Sequence, residues 1–224
     1  MDSSLDNRPA GLRDRQKQDR AQRIVQAAEK LFARKGYRDV AMEDVADRAG
    51  LAVGTIYNYF PSKSALLLAI VRRETESLLA RGRKILDNPP RDPVAAASAF
   101  TEIFLEDLTR DDRRLWRELF GAAIAEPSTL GRRLFDGDAQ LVSQLASLLE
   151  HYRINGVLAS DIEPLPAATV LYGVCFTWMT AYLMNDAISA ATVRNEIHRG
   201  TAIAMRGLFP SAGTISTTTG GSAL

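Results

Sequence analysis

Apolar residues recur along this chain at helical spacing, and the interruptions divide it into segments. Ile24, Ala27, Ala28 and Leu31 follow i, i+3, i+4, i+7 and predict a first helix near Asp19–Lys35, with Gly36 placed as its terminating glycine. A second helix near Met42–Ala49 ends at Gly50, and a third over roughly Val53–Phe60 stops at Pro61. Ser62 then stands where it can cap a fourth helix running to about Asn88, long enough at 1.5 Å per residue to extend roughly 40 Å. Asn88-Pro-Pro-Arg-Asp-Pro93 breaks the pattern, and further helices are predicted near 94–109, 111–126, 128–155, 164–185 and 189–208. Alternating runs of β-branched residues long enough for a sheet do not occur. The pattern predicts an all-α protein: an arm over 1–18, a three-helix head over 19–63, a larger helical body over 64–209 and a Ser/Thr/Gly-rich, disordered tail over 210–224.

Composition narrows the class without changing that outline. The 224 residues suffice for a sizeable core, and 46% hydrophobic with 25% charged residues is ordinary for a soluble protein. A net charge of +1 argues against whole-surface attraction to nucleic acid. Its distribution is uneven, however: residues 1–35 hold nine Arg/Lys against five Asp/Glu, with Arg13, Arg15, Lys17, Arg20 and Arg23 forming a modest basic arm, of which the part over 1–18 is expected to be flexible. Cys175 stands alone, which excludes an intramolecular disulfide framework and favours a reducing compartment, and no secretory leader is evident at the N-terminus. The expected location is the bacterial cytoplasm. Leu165–Met184 is twenty residues without a charge, long enough to span a bilayer. Pro166 and the flanking Glu163 and Asp186 instead favour a buried central helix.

The third helix carries the most specific chemistry. With Ile56 at zero and about 100° per residue, Phe60 falls near 40°, while Gly54 and Asn58 fall near 160° and 200°. Ile56 and Phe60 therefore anchor it, and Gly54 and Asn58 point furthest outward. Asn58 offers a paired donor and acceptor suited to an adenine edge. Thr55, Tyr59 and Lys63 suit phosphate oxygens, which fix register without reading sequence. A short amphipathic helix with a merely solvated polar face fits the same spacing. Tyr57 and Tyr59 flanking Asn58 favour the DNA reading, because exposed aromatics need a reason.

The segment Gly36-Tyr37, Glu43-Asp44-Val45-Ala46, Ala49-Gly50-Leu51, Gly54 through Lys63 (GTIYNYFPSK) and Leu66-Leu67 resembles the N-terminal domain of TetR-family transcriptional repressors. The resemblance covers about residues 19–68. It implies an all-helical homodimer in which a helix-turn-helix head sits on a larger ligand-binding body. It further implies that Val53, Gly54, Thr55, Tyr57, Asn58, Tyr59 and Lys63 contact double-stranded operator DNA, and that a small-molecule effector releases the repressor from a palindromic operator. Two departures stand out. Ala41 and Ala52 occupy positions where the family often has a hydroxyl, which removes a helix cap worth about 1 kcal/mol and shifts reliance towards the Arg13–Arg23 arm.

The body carries no assignable motif. In 165–184, Ala167, Leu171, Val174, Trp178 and Ala181 form one apolar stripe, and Tyr172, Cys175, Met179 and Tyr182 another, so the helix is expected to be covered on two sides. Gly200 and Ala204, four apart on the last helix, permit close backbone approach. Leu171, Val174, Trp178, Ile197 and Ala204 are accordingly expected in a four-helix dimer interface, although the same residues could fill their own subunit's core. Phe104, Trp116, Phe120, Phe135, Tyr172, Cys175, Phe176 and Met179 are expected around a pocket for an apolar or aromatic effector; plain core is the competing reading for any one of them. His151 and His198 lie far apart, and neither groups with Cys175 at metal-ligand spacing. No phosphate loop or nucleophile elbow is present. Neither a metal, nor a cofactor, nor an enzymatic activity is expected.

Overall fold

The computed structural model describes residues 11–110 and 113–209, so the expectations for residues 1–10 and for the tail over 210–224 lie outside the described residues. The described residues form α1 (Leu12–Lys35), α2 (Met42–Ala49), α3 (Val53–Tyr59), α4 (Lys63–Asp87), α5 (Pro93–Arg110), α6 (Arg113–Ala125), α7 (Arg132–Ile154), α8 (Pro164–Met184) and α9 (Ala190–Arg206). No strand occurs among them. The all-α expectation holds. Two boundaries differ from the sequence pattern. The first helix begins at Leu12 rather than near Asp19, so the part of the arm from Leu12 onward is helix and not flexible chain. The segment expected as one helix over 128–155 is a π-helical turn, Pro127–Gly131, followed by α7.

Two compact units emerge. The first comprises the described residues up to Ser77 together with Asp107–Gly137; the second comprises Leu78–Glu106 and the described residues from Asp138 onward. α4 runs from the first unit into the second. In the first unit, Ile24, Ala28 and Phe32 of α1, Val45 and Ala46 of α2, Ile56 of α3, and Leu66, Leu67 and Ile70 of α4 are buried. Each such large side chain contributes about 1.5–3 kcal/mol by leaving water. The chain turns between α2 and α3 at Gly50, whose φ of 66° is in the left-handed region that costs a side-chain-bearing residue energy. The amides of Gly50 and Leu51 there close onto the carbonyls of Asp47 and Ala46.

In the second unit, Ala96, Ala97 and Phe100 of α5 pack with Leu145, Leu148 and Leu149 of α7, Ala168 and Leu171 of α8 and Met205 of α9. Asp92 caps α5 by accepting from the amides of Val94 and Ala95, at 3.0 and 3.3 Å. Ser189 caps α9 through the Thr192 amide at 3.0 Å. The Tyr152 hydroxyl donates to the Pro90 carbonyl and so ties α7 to the proline break. Glu102 joins α5 to α9, accepting from Arg194 Nε at 2.8 Å with His198 Nε2 at 3.0 Å. α8 and α9 come very close: a Cβ on Gly200 would meet Val174 Cγ1 at 2.6 Å. That close approach lies within one chain.

α8 is long and apolar enough to cross a membrane by length and composition. Its own chain covers it on one side. Ala168, Leu171, Cys175, Tyr182 and Leu183 are buried, while Leu165, Val170, Phe176 and Met184 are exposed.

Candidate nucleic-acid interface

α3 is a seven-residue helix held by one fully buried side chain, Ile56. Gly54 and Asn58 are exposed, Tyr57 is 46% exposed, and Val53, Thr55 and Phe60 are half-buried. Nothing lies within 4 Å of a Cβ built on Gly54. The outward surface is thus Gly54, Tyr57 and Asn58: an open patch of backbone, an aromatic hydroxyl and an amide. Thr55 and Tyr59 flank it. Phe60 closes the helix in extended conformation ahead of Pro61, and Ser62 Oγ then accepts from the Ala65 amide at 3.1 Å to start α4.

The helix-turn-helix is braced by contacts that reach far along the sequence. Arg23 Nη2 of α1 donates to the Ala49 carbonyl at 2.9 Å, at the end of α2. Ala41 has no side-chain acceptor to offer at the start of α2. Asp44 supplies the reverse half of a capping box instead, accepting from the Ala41 amide at 2.8 Å. The same carboxylate pairs with Lys35 at 2.8 Å, and these hydrogen bonds hold it below the usual carboxylate range.

Lys63 differs from the sequence expectation. Its Nζ donates to the carbonyls of Arg38 and Val40, both at 3.0 Å, and stands 4.7 Å from the centre of the Tyr37 ring. The Tyr37 ring packs edge-on against Phe32, and its hydroxyl lies 3.1 Å from Ser64 Oγ. The ammonium expected on phosphate is therefore committed to the loop between α1 and α2. Arg114 is not singled out by sequence pattern. From α6 it donates through Nη1 to the Arg34 carbonyl at 3.0 Å and through Nη2 to the Lys35 carbonyl at 2.7 Å. Those carbonyls end α1 and have no partner within their own helix. Hydrogen bonds that span 79 and 80 residues leave no periodic trace.

In the second unit an aromatic series connects α5 to α8: Phe100 to Phe104 at 6.3 Å, Phe104 to Tyr172 at 5.5 Å, and Tyr172 to Phe176 at 6.1 Å between ring centres. Asp138, which hydrophobic periodicity does not single out, accepts a hydrogen bond from Tyr172. Burial pushes its carboxyl up to about 6, and the hydrogen bond partly opposes that rise. Burial and the neighbouring Asp138 charge push the Tyr172 hydroxyl up. The Cys175 thiol is pushed up to about 12 by burial, so it remains protonated and unreactive. Met179 is half-buried. Of the remaining expected pocket residues, Trp116 is buried and Phe120 half-buried on α6 of the first unit. Phe135 is 72% exposed, which removes it from any enclosed lining.

Two residues of the expected dimer stripe are already covered. Leu171 and Ile197 are buried within their own chain, Val174 rests on Gly200, and Ala204 packs against the core around Met205. Trp178 is half-buried. The outward large apolar positions on α8 and α9 are Leu165, Val170, Phe176, Met184 and Ile203. Thr169 and Thr177 share that side of α8 and turn their hydroxyls back to the carbonyls of Leu165 and Gly173, at 2.9 and 2.8 Å, so their polar atoms are already satisfied. Among the described residues no group of three His, Cys, Asp or Glu is placed to hold a metal.

Residues 24–70 match the family model for bacterial regulatory proteins of the tetR family. Over 185 residues the chain is 32% identical to the HTH-type transcriptional repressor KstR of Rhodococcus jostii, covering 80% of this chain and 79% of that relative. The chain belongs to the TetR family. Its fold is shared by Thermus thermophilus FadR in complex with lauroyl-CoA, at 21% identity, 87% of this chain, 97% of that one and a TM-score of 0.65. The triclosan complex of SmeT, the Stenotrophomonas maltophilia efflux-pump repressor, matches at 20% identity, 87% and 93% coverage and a TM-score of 0.71. As a TetR-family member the chain is a DNA-binding transcriptional regulator, with α2 and α3 as its helix-turn-helix.

Proposed function

We propose that this TetR-family regulator is a cytoplasmic repressor that binds a palindromic operator as a homodimer and is released by a small apolar or aromatic effector. The observation that carries the DNA-reading part is the outward face of α3, where Gly54, Tyr57 and Asn58 are exposed over a buried Ile56. Asn58 reads a base edge, Tyr57 and Tyr59 frame it, and Val53 and Thr55 meet the adjoining backbone. Two such helices enter successive major grooves roughly 34–36 Å apart.

Dimerisation uses the uncovered side of α8 with α9: Val170, Phe176 and Met184, with Ile203 from α9. This face replaces the stripe of Leu171, Val174 and Ile197. An exposed apolar helix face with its threonine hydroxyls internally satisfied is suited to burial against a second copy, because burial leaves no polar atom unpaired.

Effector recognition centres on Phe104, Tyr172, Cys175 and Met179, with the Asp138–Tyr172 pair as its polar element. An aromatic series with one carboxyl–phenol pair suits a largely apolar molecule carrying a single hydrogen-bonding group. That KstR is a repressor, and that FadR and SmeT were solved with lauroyl-CoA and triclosan, agrees with this reading. α4 is the continuous element through which occupancy is transmitted to the head. The test is nuclease protection of the duplex upstream of the protein's own gene. Protection of two half-sites about one helical turn apart, abolished in Asn58→Ala, is the expected result. A single unpaired footprint, or one indifferent to Asn58, would sink the proposal.

A further inference from the structure

The structure gives the basic arm a form that its composition does not reveal. Residues 14–20 of α1 are all exposed, and full burial begins only at Ile24, so the helix continues beyond the head that packs it. With Ile24 at zero and about 100° per residue, Lys17 falls near 20° and Arg20 near 320°. That is the stripe on which Ile24, Ala27, Ala28 and Leu31 are buried one or more turns later. The face that is apolar against the head thus becomes cationic where the helix leaves it. Asp14 and Asp19 fall about 80° and 140° from the centre of the stripe.

Two further observations bear on this stripe: its cations are unpaired among the described residues, and the helix that carries it is anchored beside the helix-turn-helix. Among the described residues neither Lys17 nor Arg20 has an ion-pair partner, whereas Lys35, Arg72 and Arg73 do. Arg23, one turn after Arg20, is spent on the Ala49 carbonyl and fixes α1 against the end of α2, immediately before the turn into α3. The stretch from Arg23 back to Leu12 extends about 16 Å at 1.5 Å per residue.

We propose that the first turns of α1 form a rigid helical arm whose Lys17 and Arg20 bind backbone phosphates of duplex DNA flanking the half-site met by α3. The proposal rests on the reading that α3 enters DNA. The arm supplies affinity and orientation but no sequence information, because phosphates are alike at every base pair. Arg23 sets the angle of the arm and does not itself touch DNA.

The test is a salt series of fluorescence-anisotropy titrations on a short duplex from upstream of the protein's own gene. Each phosphate that is no longer neutralised lowers the slope of log affinity against log salt by about 0.9. Lys17→Ala/Arg20→Ala is expected to lower it by about 1.8 per bound protomer. Base preference, helical content and melting temperature are expected to stay as in the wild type, and Lys17→Arg/Arg20→Lys is expected to restore the slope. An unchanged slope in the alanine pair overturns the arm's role, as does a drop in affinity confined to one sequence. If the wild type binds with normal salt sensitivity yet Tyr57→Ala and Asn58→Ala are without effect, the reading of α3 fails and the arm can still be scored by its slope. If the wild type binds no duplex at low salt, both fall.

Discussion

Asn58 and Lys63 lie five positions apart and illustrate opposite outcomes for polar residues around a recognition helix. Asn58 is exposed and free to pair with a base edge, so Asn58→Ala is expected to cost about 1–3 kcal/mol on the preferred operator and to relax base preference at one position. Competition binding against single-base operator variants measures it. Lys63 is occupied by two carbonyls and the Tyr37 ring. Lys63→Ala is therefore expected to lower stability by about 1–3 kcal/mol while leaving the salt slope of DNA binding unchanged. A flattened slope would restore Lys63 to the phosphate backbone. Asp138 supplies a pH dependence. Its carboxyl titrates near 6 in the folded chain, above the ordinary value of 3.8, so the folded state binds the proton more tightly than the unfolded state. Stability contributed by this group therefore falls as pH rises from about 4 to 6 and is absent above that window. Asp138→Asn is expected to remove this dependence and raise the melting temperature at neutral pH, by an amount corresponding to roughly 1–3 kcal/mol. Thermal denaturation of both proteins between pH 4 and 7.5 tests the sign.

Helices in this chain end on partners supplied from elsewhere. The last carbonyls of α1 accept from Arg114 of α6, and the last carbonyl of α2 accepts from Arg23 of α1. Arg114→Ala leaves Arg34 and Lys35 to water, and faster hydrogen exchange confined to the C-terminal turn of α1 and the following loop is the expected signature. Exchange unchanged there would mean the guanidinium is dispensable. α8 poses the opposite problem, being apolar on nearly every side. Its sequence offers two stripes of equal quality, and hydrophobic periodicity cannot choose between them. Gly200 decides the matter by admitting Val174 within the same chain, which turns Leu171 inward and leaves Val170, Phe176 and Met184 outward, the last 80% exposed. Val170→Glu is accordingly expected to give a folded monomer by sedimentation, whereas Leu171→Glu buries an unpaired charge and prevents folding. A stable Val170→Glu dimer would place the interface elsewhere.

At the scale of the whole molecule, an effector that prefers the released state must lower operator affinity by the same factor by which operator lowers effector affinity. Small apolar and aromatic molecules carrying one hydrogen-bonding group, the class proposed above, are suitable first probes. A compound recognised by the Asp138–Tyr172 pair is expected to raise the melting temperature of the wild type and to lose most of that effect in Tyr172→Phe. Stabilisation without any change in DNA affinity would separate the cluster from regulation.

The sequence by itself determined the helical class, most helix boundaries, the family and the outward face of α3. The family follows from the resemblance carried by the motif Gly54–Lys63 and its flanking residues, and the rest from local rules: periodicity near 3.6, glycine and proline stops, and a short helix with Ile56 as its one strong apolar anchor. Tertiary structure decided what Lys63 is bonded to, which residue ends α1, how far α1 continues, and which side of α8 is covered. Those outcomes depend on groups tens of residues apart, Lys63 with the Arg38 carbonyl and Arg114 with the Arg34 carbonyl among them. A backbone acceptor carries no sequence signature. A helix apolar all round carries no preferred face, and only the neighbour that fits against it, here Gly200 beneath Val174, supplies one.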